Sequence, residues 1–175
     1  MAIQTTAKEQ TAVEALKKYL DAYGKQDMKA ALDCFSNKPD TTFIGTGIDD
    51  KTVGKQKIEA LLKRDFAESQ GTTTDTHLIS ANIQNEMAWI AAEVNAKVKL
   101  NNGQTQSVSG RCTTVLEKEN NDWKIRHFHF STPALNQPKG KSFPVWSIAE
   151  LLEIDEILKT GASYKLQFFG FYQIQ

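Results

Sequence analysis

Two histidines stand one residue apart in the stretch WKIRHFHFSTP, at positions 127 and 129. On a strand, alternate side chains share a face, so His127 and His129 could together chelate a metal ion. A metal site needs three or four ligands, however, and the one other histidine, His77, belongs to a different segment. No cysteine or carboxylate completes the set at a persuasive spacing, so no metal is expected and a structural or interface role is the alternative for both imidazoles. Glu93 is a second candidate. In a cavity, desolvation would raise its pKa and suit it to proton abstraction; on an open sheet it would be a solvated carboxylate beside Lys97. Asp27 could serve at a cavity mouth, although a helix N-cap role explains it fully. Arg111 could bind a carboxylate or phosphate, or bridge two subunits. The chain shows no Gly-rich phosphate loop, no Gly-x-Ser-x-Gly elbow and no zinc-ligand spacing, and no cofactor is expected.

The elements that must carry these residues follow from periodicity. Thr6-x-x-Glu9 is a capping-box pattern opening a helix whose apolar face is Val13, Leu16, Leu20 and Tyr23, and Gly24 marks its end. Asp27 can cap a short second helix through Phe35, stopped by Pro39. Residues 41–45 read as a short strand. A third helix follows Gly54 with Ile58, Leu61, Leu62 and Phe66 on one side. After residue 72 the period falls to two, predicting strands over 75–86, 87–100, 104–118 and 123–132. Helices followed by a run of antiparallel strands make an α+β domain, one curved sheet with its helices on one face.

Three prolines (Pro133, Pro138 and Pro144) and Gly140 fall within residues 133–146 and imply a linker. Ser147-x-x-Glu150 then opens a last helix ended by Gly161, and SYKLQFFGFYQIQ reads as an aromatic strand. The expected division is a domain over 1–133 and an extension over 134–175. A tail this apolar needs cover, from its own domain or from a second copy of the chain.

Composition narrows the function classes. The 175 residues are 40% hydrophobic and 24% charged, ample for a core. Lys+Arg and Asp+Glu number 21 each, which leaves no electrostatic footprint for nucleic acid or an anionic membrane. Cys34 and Cys112 form no CxxC pair, and two free buried thiols in a reducing compartment are the simpler reading. The segment MAIQTTAKEQ lacks a basic region followed by an apolar one, and no run of about 18 apolar residues occurs, so a cytoplasmic location is expected.

Residues 110–116 (GRCTTVL) and 123–133 (WKIRHFHFSTP), with GKQKIEALLKRDF and MAWIAAEV upstream, resemble the SnoaL-like branch of the nuclear transport factor 2-like superfamily. The resemblance spans roughly residues 9–133. The His-x-His-x-Ser rhythm is also similar to the association domain of calcium/calmodulin-dependent kinase II. The resemblance implies a cone with a cavity at its wide end, in a family that includes isomerases, dehydratases and cyclases as well as assembly domains. The association domain would place pocket arginines at the positions of Thr114 and Phe130, which puts its anionic ligands in doubt here.

Two turns decide which side chains share the cavity face. A two-residue turn at Asn102-Gly103 makes opposing residues sum to 205. A three-residue loop over 120–122 pairs Val115 with His127. The expected cavity wall is then Trp89, Glu93, Thr114, Phe128 and Phe130, with Tyr23 and Phe43 from the other elements. Arg111, His127 and His129 fall on the opposite face, suited to a sheet-to-sheet contact. The expected protein is a homodimer or higher homo-oligomer that binds a small apolar or amphipathic molecule, either with or without cofactor-free isomerase, dehydratase or cyclase chemistry on it; the alternative is a purely assembling domain.

Overall fold

The structure is a computed structural model in which residues 5–145 are described. Residues up to Pro133 form one compact unit, and a second begins at Ala134. The helix and aromatic strand expected after residue 146 lie outside the described residues.

Helix α1 (Ala7–Gly24) starts where the capping box predicts. The Glu9 backbone N–H donates to Thr6 Oγ1 at 3.2 Å and the Thr6 N–H donates to Glu9 Oε2 at 2.7 Å, so two of the helix's orphan donors are satisfied. Helix α2 (Met28–Asp33) is capped by Asp27, whose Oδ1 accepts from the Ala30 N–H at 3.0 Å. A strand β1 (Thr42–Ile44) and a strand β2 (Lys51–Val53) then form a small hairpin. Strand β2 has three residues, too few to show a period in the sequence. Helix α3 (Lys55–Glu68) runs straight into β3 (Ser69–Gln84), which starts six residues before the predicted strand at residue 75. The early part, SQGTTT, lacks the apolar alternation that marks a strand.

Strands β4 (Met87–Leu100), β5 (Thr105–Glu119) and β6 (Asp122–Ser131) complete a mixed six-stranded sheet in the order β2-β1-β6-β5-β4-β3. All neighbours are antiparallel except β1 and β6, which run parallel with Thr42 opposite His127. The inner face of the curved sheet packs on α1 and α3, and the core gathers Leu16, Tyr19, Phe35, Ile58, Leu62, Ile90, Leu116 and Ile125, all fully buried. Both cysteines are buried and free. Burial pushes the Cys112 thiol up to about 11, so it stays protonated and unreactive at neutral pH.

The turns set the register, and one of them corrects the predicted faces. Between β4 and β5, three residues (Asn101, Asn102, Gly103) stand outside the ladder, because the Leu100 N–H donates to the Gln104 carbonyl at 2.8 Å. Gly103 alone has positive φ there, at 84°, as in a type I turn closed by a glycine bulge; a two-residue primed turn would need Asn102 positive as well. Opposing residues therefore sum to 204, as in Ala92 with Cys112. This shift moves the whole odd-numbered set of β4 to the outer face. Between β5 and β6 the turn is two residues, Asn120 and Asn121, both with positive φ. A bulge between Val115 and Leu116 then restores the predicted partnership of Val115 with His127.

Among the described residues no helix is long and apolar enough to cross a membrane.

Candidate functional site

The inner face of the sheet and the two long helices enclose a cavity of about 200 Å³. Its walls are mainly apolar, because the even-numbered residues of β4 (Val94, Ala96, Val98) face it alongside Phe128 and Phe130 of β6. Phe43 of β1 stacks on Phe128 with ring centroids 5.1 Å apart, and Tyr19 meets Phe128 edge-on at 5.2 Å. Gly110 of β5 makes this wall possible. A Cβ there would stand 2.3 Å from Phe130 Cζ and 2.6 Å from the Ser131 carbonyl, so the ring lies where a side chain would otherwise be.

Against this apolar lining stand two carboxylates, Asp50 and Asp65, and the phenol of Tyr23. Tyr23 Oη donates to Asp65 Oδ2 at 3.1 Å, from α1 to α3. The Gln26 amide fastens the ends of the two helices, since its Nε2 donates to the Ser69 carbonyl at 2.8 Å and the Phe66 carbonyl at 3.3 Å. Gln26 adopts positive φ, 57°, in making that turn. Burial, opposed by the Tyr23 hydrogen bond, pushes the Asp65 carboxyl up to about 6. Burial, reinforced by the charge of Asp65, holds the Tyr23 phenol well above its ordinary range, so it remains a proton donor.

Asp50 closes the rim. Its Oδ2 accepts from the Gly47 N–H at 2.9 Å, while its Oδ1 accepts from the Arg64 guanidinium. Arg64 also donates to Asp49 at 2.7 Å, and its Nε lies 3.9 Å from Asp65 Oδ1. The single guanidinium is thus committed to the loop that joins β1 to β2, and only its flank reaches Asp65. Hydrogen bonding to Asp50 raises the Arg64 pKa further, keeping it charged.

The predicted site residues divide between the two faces. Tyr23, Phe43, Phe128 and Phe130 line the cavity. Thr114 faces inward but lies fully buried in the core, outside the cavity lining. Trp89 and Glu93 are corrected by the β4–β5 turn: both are exposed on the outer face, opposite Val115 and Arg111. The same shift puts Ile90, Ala92 and Val94 on the inner face, where they are buried. Asp27 is exposed, and its carboxylate is used as the α2 cap. Arg111, His127 and His129 share the outer face with Trp89. His127 Nδ1 shares a hydrogen bond of 2.7 Å with Thr42 Oγ1, and the two imidazole centroids are 6.3 Å apart. Burial, then the neighbouring His129, lowers the His127 pKa and keeps the ring neutral at pH 7. Among the described residues no group of three or more His, Cys, Asp or Glu could hold a metal ion.

Asp65 is the functional candidate that periodicity passed over. It occupies the stripe Ile58, Leu61, Leu62, Phe66 that α3 turns inward, and a carboxylate on an apolar stripe is the signal that could have found it.

The SnoaL-like domain matches residues 13–135. Among solved structures, a nuclear transport factor 2-like superfamily protein from Salmonella enterica is 23% identical with a TM-score of 0.67, covering 77% of this chain and 96% of its own. A ketosteroid isomerase-like protein from Erwinia carotovora is 15% identical with a TM-score of 0.65, covering 74% and 99%. A Xanthomonas campestris protein named for the calcium/calmodulin-dependent kinase II association domain is 18% identical with a TM-score of 0.60, covering 75% and 91%. No curated relative matches the chain. At these identities the likeness carries the fold alone, whereas the domain match spans well over half of the residues: the chain belongs to the SnoaL-like domain family.

Proposed function

We propose that the chain binds a small molecule with an apolar body in this cavity and acts on it by cofactor-free proton transfer through Asp65. The observation that carries the reading is the Tyr23–Asp65 hydrogen bond at the wall of an otherwise apolar chamber. With its carboxyl pushed up to about 6, Asp65 is about nine-tenths ionised at pH 7 yet basic enough to take a carbon-bound proton. The single O–H of Tyr23 is held by Asp65 Oδ2, and as Asp65 takes up the proton that O–H is released to turn to an oxygen that gains charge. Returning the proton to a different carbon gives an isomerisation, and expelling a hydroxyl gives a dehydration. The ketosteroid isomerase-like fold neighbour is consistent with that reaction class.

A surrogate substrate tests the base directly. In 5-nitrobenzisoxazole, removal of the ring C–H proton sends the electron pair into a C≡N bond and breaks the N–O bond, releasing a coloured nitrophenolate. Saturable turnover is expected, rising with pH through a midpoint near 6. Asp65→Asn is expected to lose about a hundredfold or more of it. Turnover that survives this substitution, or none in the native chain, would remove Asp65 as the base.

A second reading, self-association, is favoured by Trp89. Its side chain is 41% exposed on the outer sheet face beside Met87, with the exposed Glu93 and Arg111 opposite one another in register. An indole left on a flat strand face is the kind of anchor a second copy of the chain would cover, making a homodimer.

A further inference from the structure

The charge of the ligand can be read from what the cavity lacks. Its lining contains two carboxylates and, among the described residues, no lysine, arginine or histidine. The nearest cation, Arg64, is spent on Asp49 and Asp50. An anionic ligand would meet the Asp65 carboxylate without a cation of its own to pair with, since Arg64 is taken up by Asp49 and Asp50.

Neutral ligands face a subtler difficulty. The Asp65 side chain retains 27% of its exposure, so water still solvates part of the carboxylate. A molecule filling the cavity strips that water. It must then replace that water with a positive charge or a hydrogen-bond donor, or drive Asp65 towards its protonated form, since Tyr23 and the flank of Arg64 are the carboxylate's remaining partners. The walls supply the second half of a cation site. Five rings line the cavity, those of Tyr19, Tyr23, Phe43, Phe128 and Phe130. Aromatic faces within about 6 Å attract an organic cation through their quadrupoles, most effectively where water is excluded.

We propose that the cavity's ligand is an organic cation, a substituted ammonium on a compact apolar body, with its charge beside Asp65 and its substituents against the aromatic rings. This rests on the cavity being the binding site, and names the substrate class for it.

The pH dependence separates the charge classes. The titratable or charged groups facing Asp65 are Tyr19 and Tyr23 from α1, Asp50 from the β1–β2 loop, and Arg64 and Glu68 from α3 itself. The Asp65 carboxyl, at about 6, titrates between pH 5 and pH 7.5, while both phenols keep their protons and Arg64 its charge. A cation binds the ionised form, and its affinity should fall about tenfold from pH 7.5 to pH 5. An uncharged ligand should show the opposite slope.

The experiment uses the full chain with three probes followed by ligand-observed NMR: benzyltrimethylammonium, its uncharged isostere neopentylbenzene, and benzoate. The expected result is that the cation binds at least about tenfold more tightly than either other probe at pH 7.5. Its affinity should fall by about that factor at pH 5, and Asp65→Asn should weaken it and flatten the slope. The Asn variant retains an acceptor for Tyr23, and its proton spectrum checks that it is folded. Equal or tighter binding of neopentylbenzene, or a cation affinity indifferent to pH and to Asp65→Asn, overturns the charge assignment while leaving the cavity as the binding site. If no probe binds but 5-nitrobenzisoxazole is still turned over through Asp65, the charge assignment alone falls. If neither occurs, both readings fall together.

Discussion

Asp65 carries opposite consequences for stability and for chemistry. Its carboxyl is raised from 3.8 to about 6 by burial, so the folded chain holds this proton more tightly than the unfolded chain does. The stability linked to that proton is complete below about pH 4 and is lost as pH rises through 6. Asp65→Asn removes the ionisable group but keeps an oxygen for Tyr23. The variant should therefore be more stable than the native chain at pH 8, by on the order of 1–2 kcal/mol, and the advantage should vanish at pH 4. Urea denaturation at both pH values measures this, and a native chain that is the more stable at pH 8 would sink it. The same substitution silences the proposed base, the kind of trade a functional site imposes on its fold. Reading the sequence by apolar period finds the stripe around Asp65 but steps over the carboxylate itself, because periodicity registers what is buried and not what is buried at a cost.

Individual elements show which local signals suffice. The capping box at Thr6 and Glu9 and the cap at Asp27 were legible because each is a side-chain bond to a backbone group a few residues away. Which face each strand presents depends on turn length, and Asn102-Gly103 fits both a two-residue turn and the last two places of a three-residue one. That single residue is why Trp89 and Glu93 were expected inside. The Phe128 and Phe130 wall was legible because the shorter β5–β6 turn and the β5–β6 bulge offset each other. Gly110 gives a test of the wall. Gly110→Ala would drive a methyl into Phe130 and into the Ser131 carbonyl, and the carbonyl belongs to a paired backbone that cannot swing aside. A loss of about 1–3 kcal/mol in chemical denaturation is expected. The displaced ring should also raise the KM for 5-nitrobenzisoxazole more than it lowers kcat. Unchanged stability would mean that the β5–β6 wall is looser than its geometry.

At the scale of the whole molecule, the order of helices before strands was enough to specify an α+β layout, and the domain match over residues 13–135 agrees with it. The outer face bears on assembly. Trp89→Glu places a charge on that exposed face, where it opposes the approach of a second copy. Sedimentation at rising concentration should show the native chain self-associating and the variant remaining a monomer. A native chain that stays monomeric, or a variant with the same mass, would count against a sheet-to-sheet dimer.

The parallel pairing of β1 with β6 also bears on how the chain is made. Thr42 and His127, hydrogen-bonded in the finished sheet, are 85 residues apart in the chain. At roughly 5–20 residues per second, β1 waits on the order of 4–17 s on the ribosome before its partner exists. Strand β6 is the last of the described sheet to be made, yet it lies in the interior, between β1 and β5. The β3–β6 meander can still grow hairpin by hairpin, each strand adding to the one before; the non-local step is the parallel docking of the early β1–β2 hairpin on β6, and it slows folding. Phe128 and Phe130 arrive with β6, so the chamber has no aromatic wall on that side until the last described strand has been made.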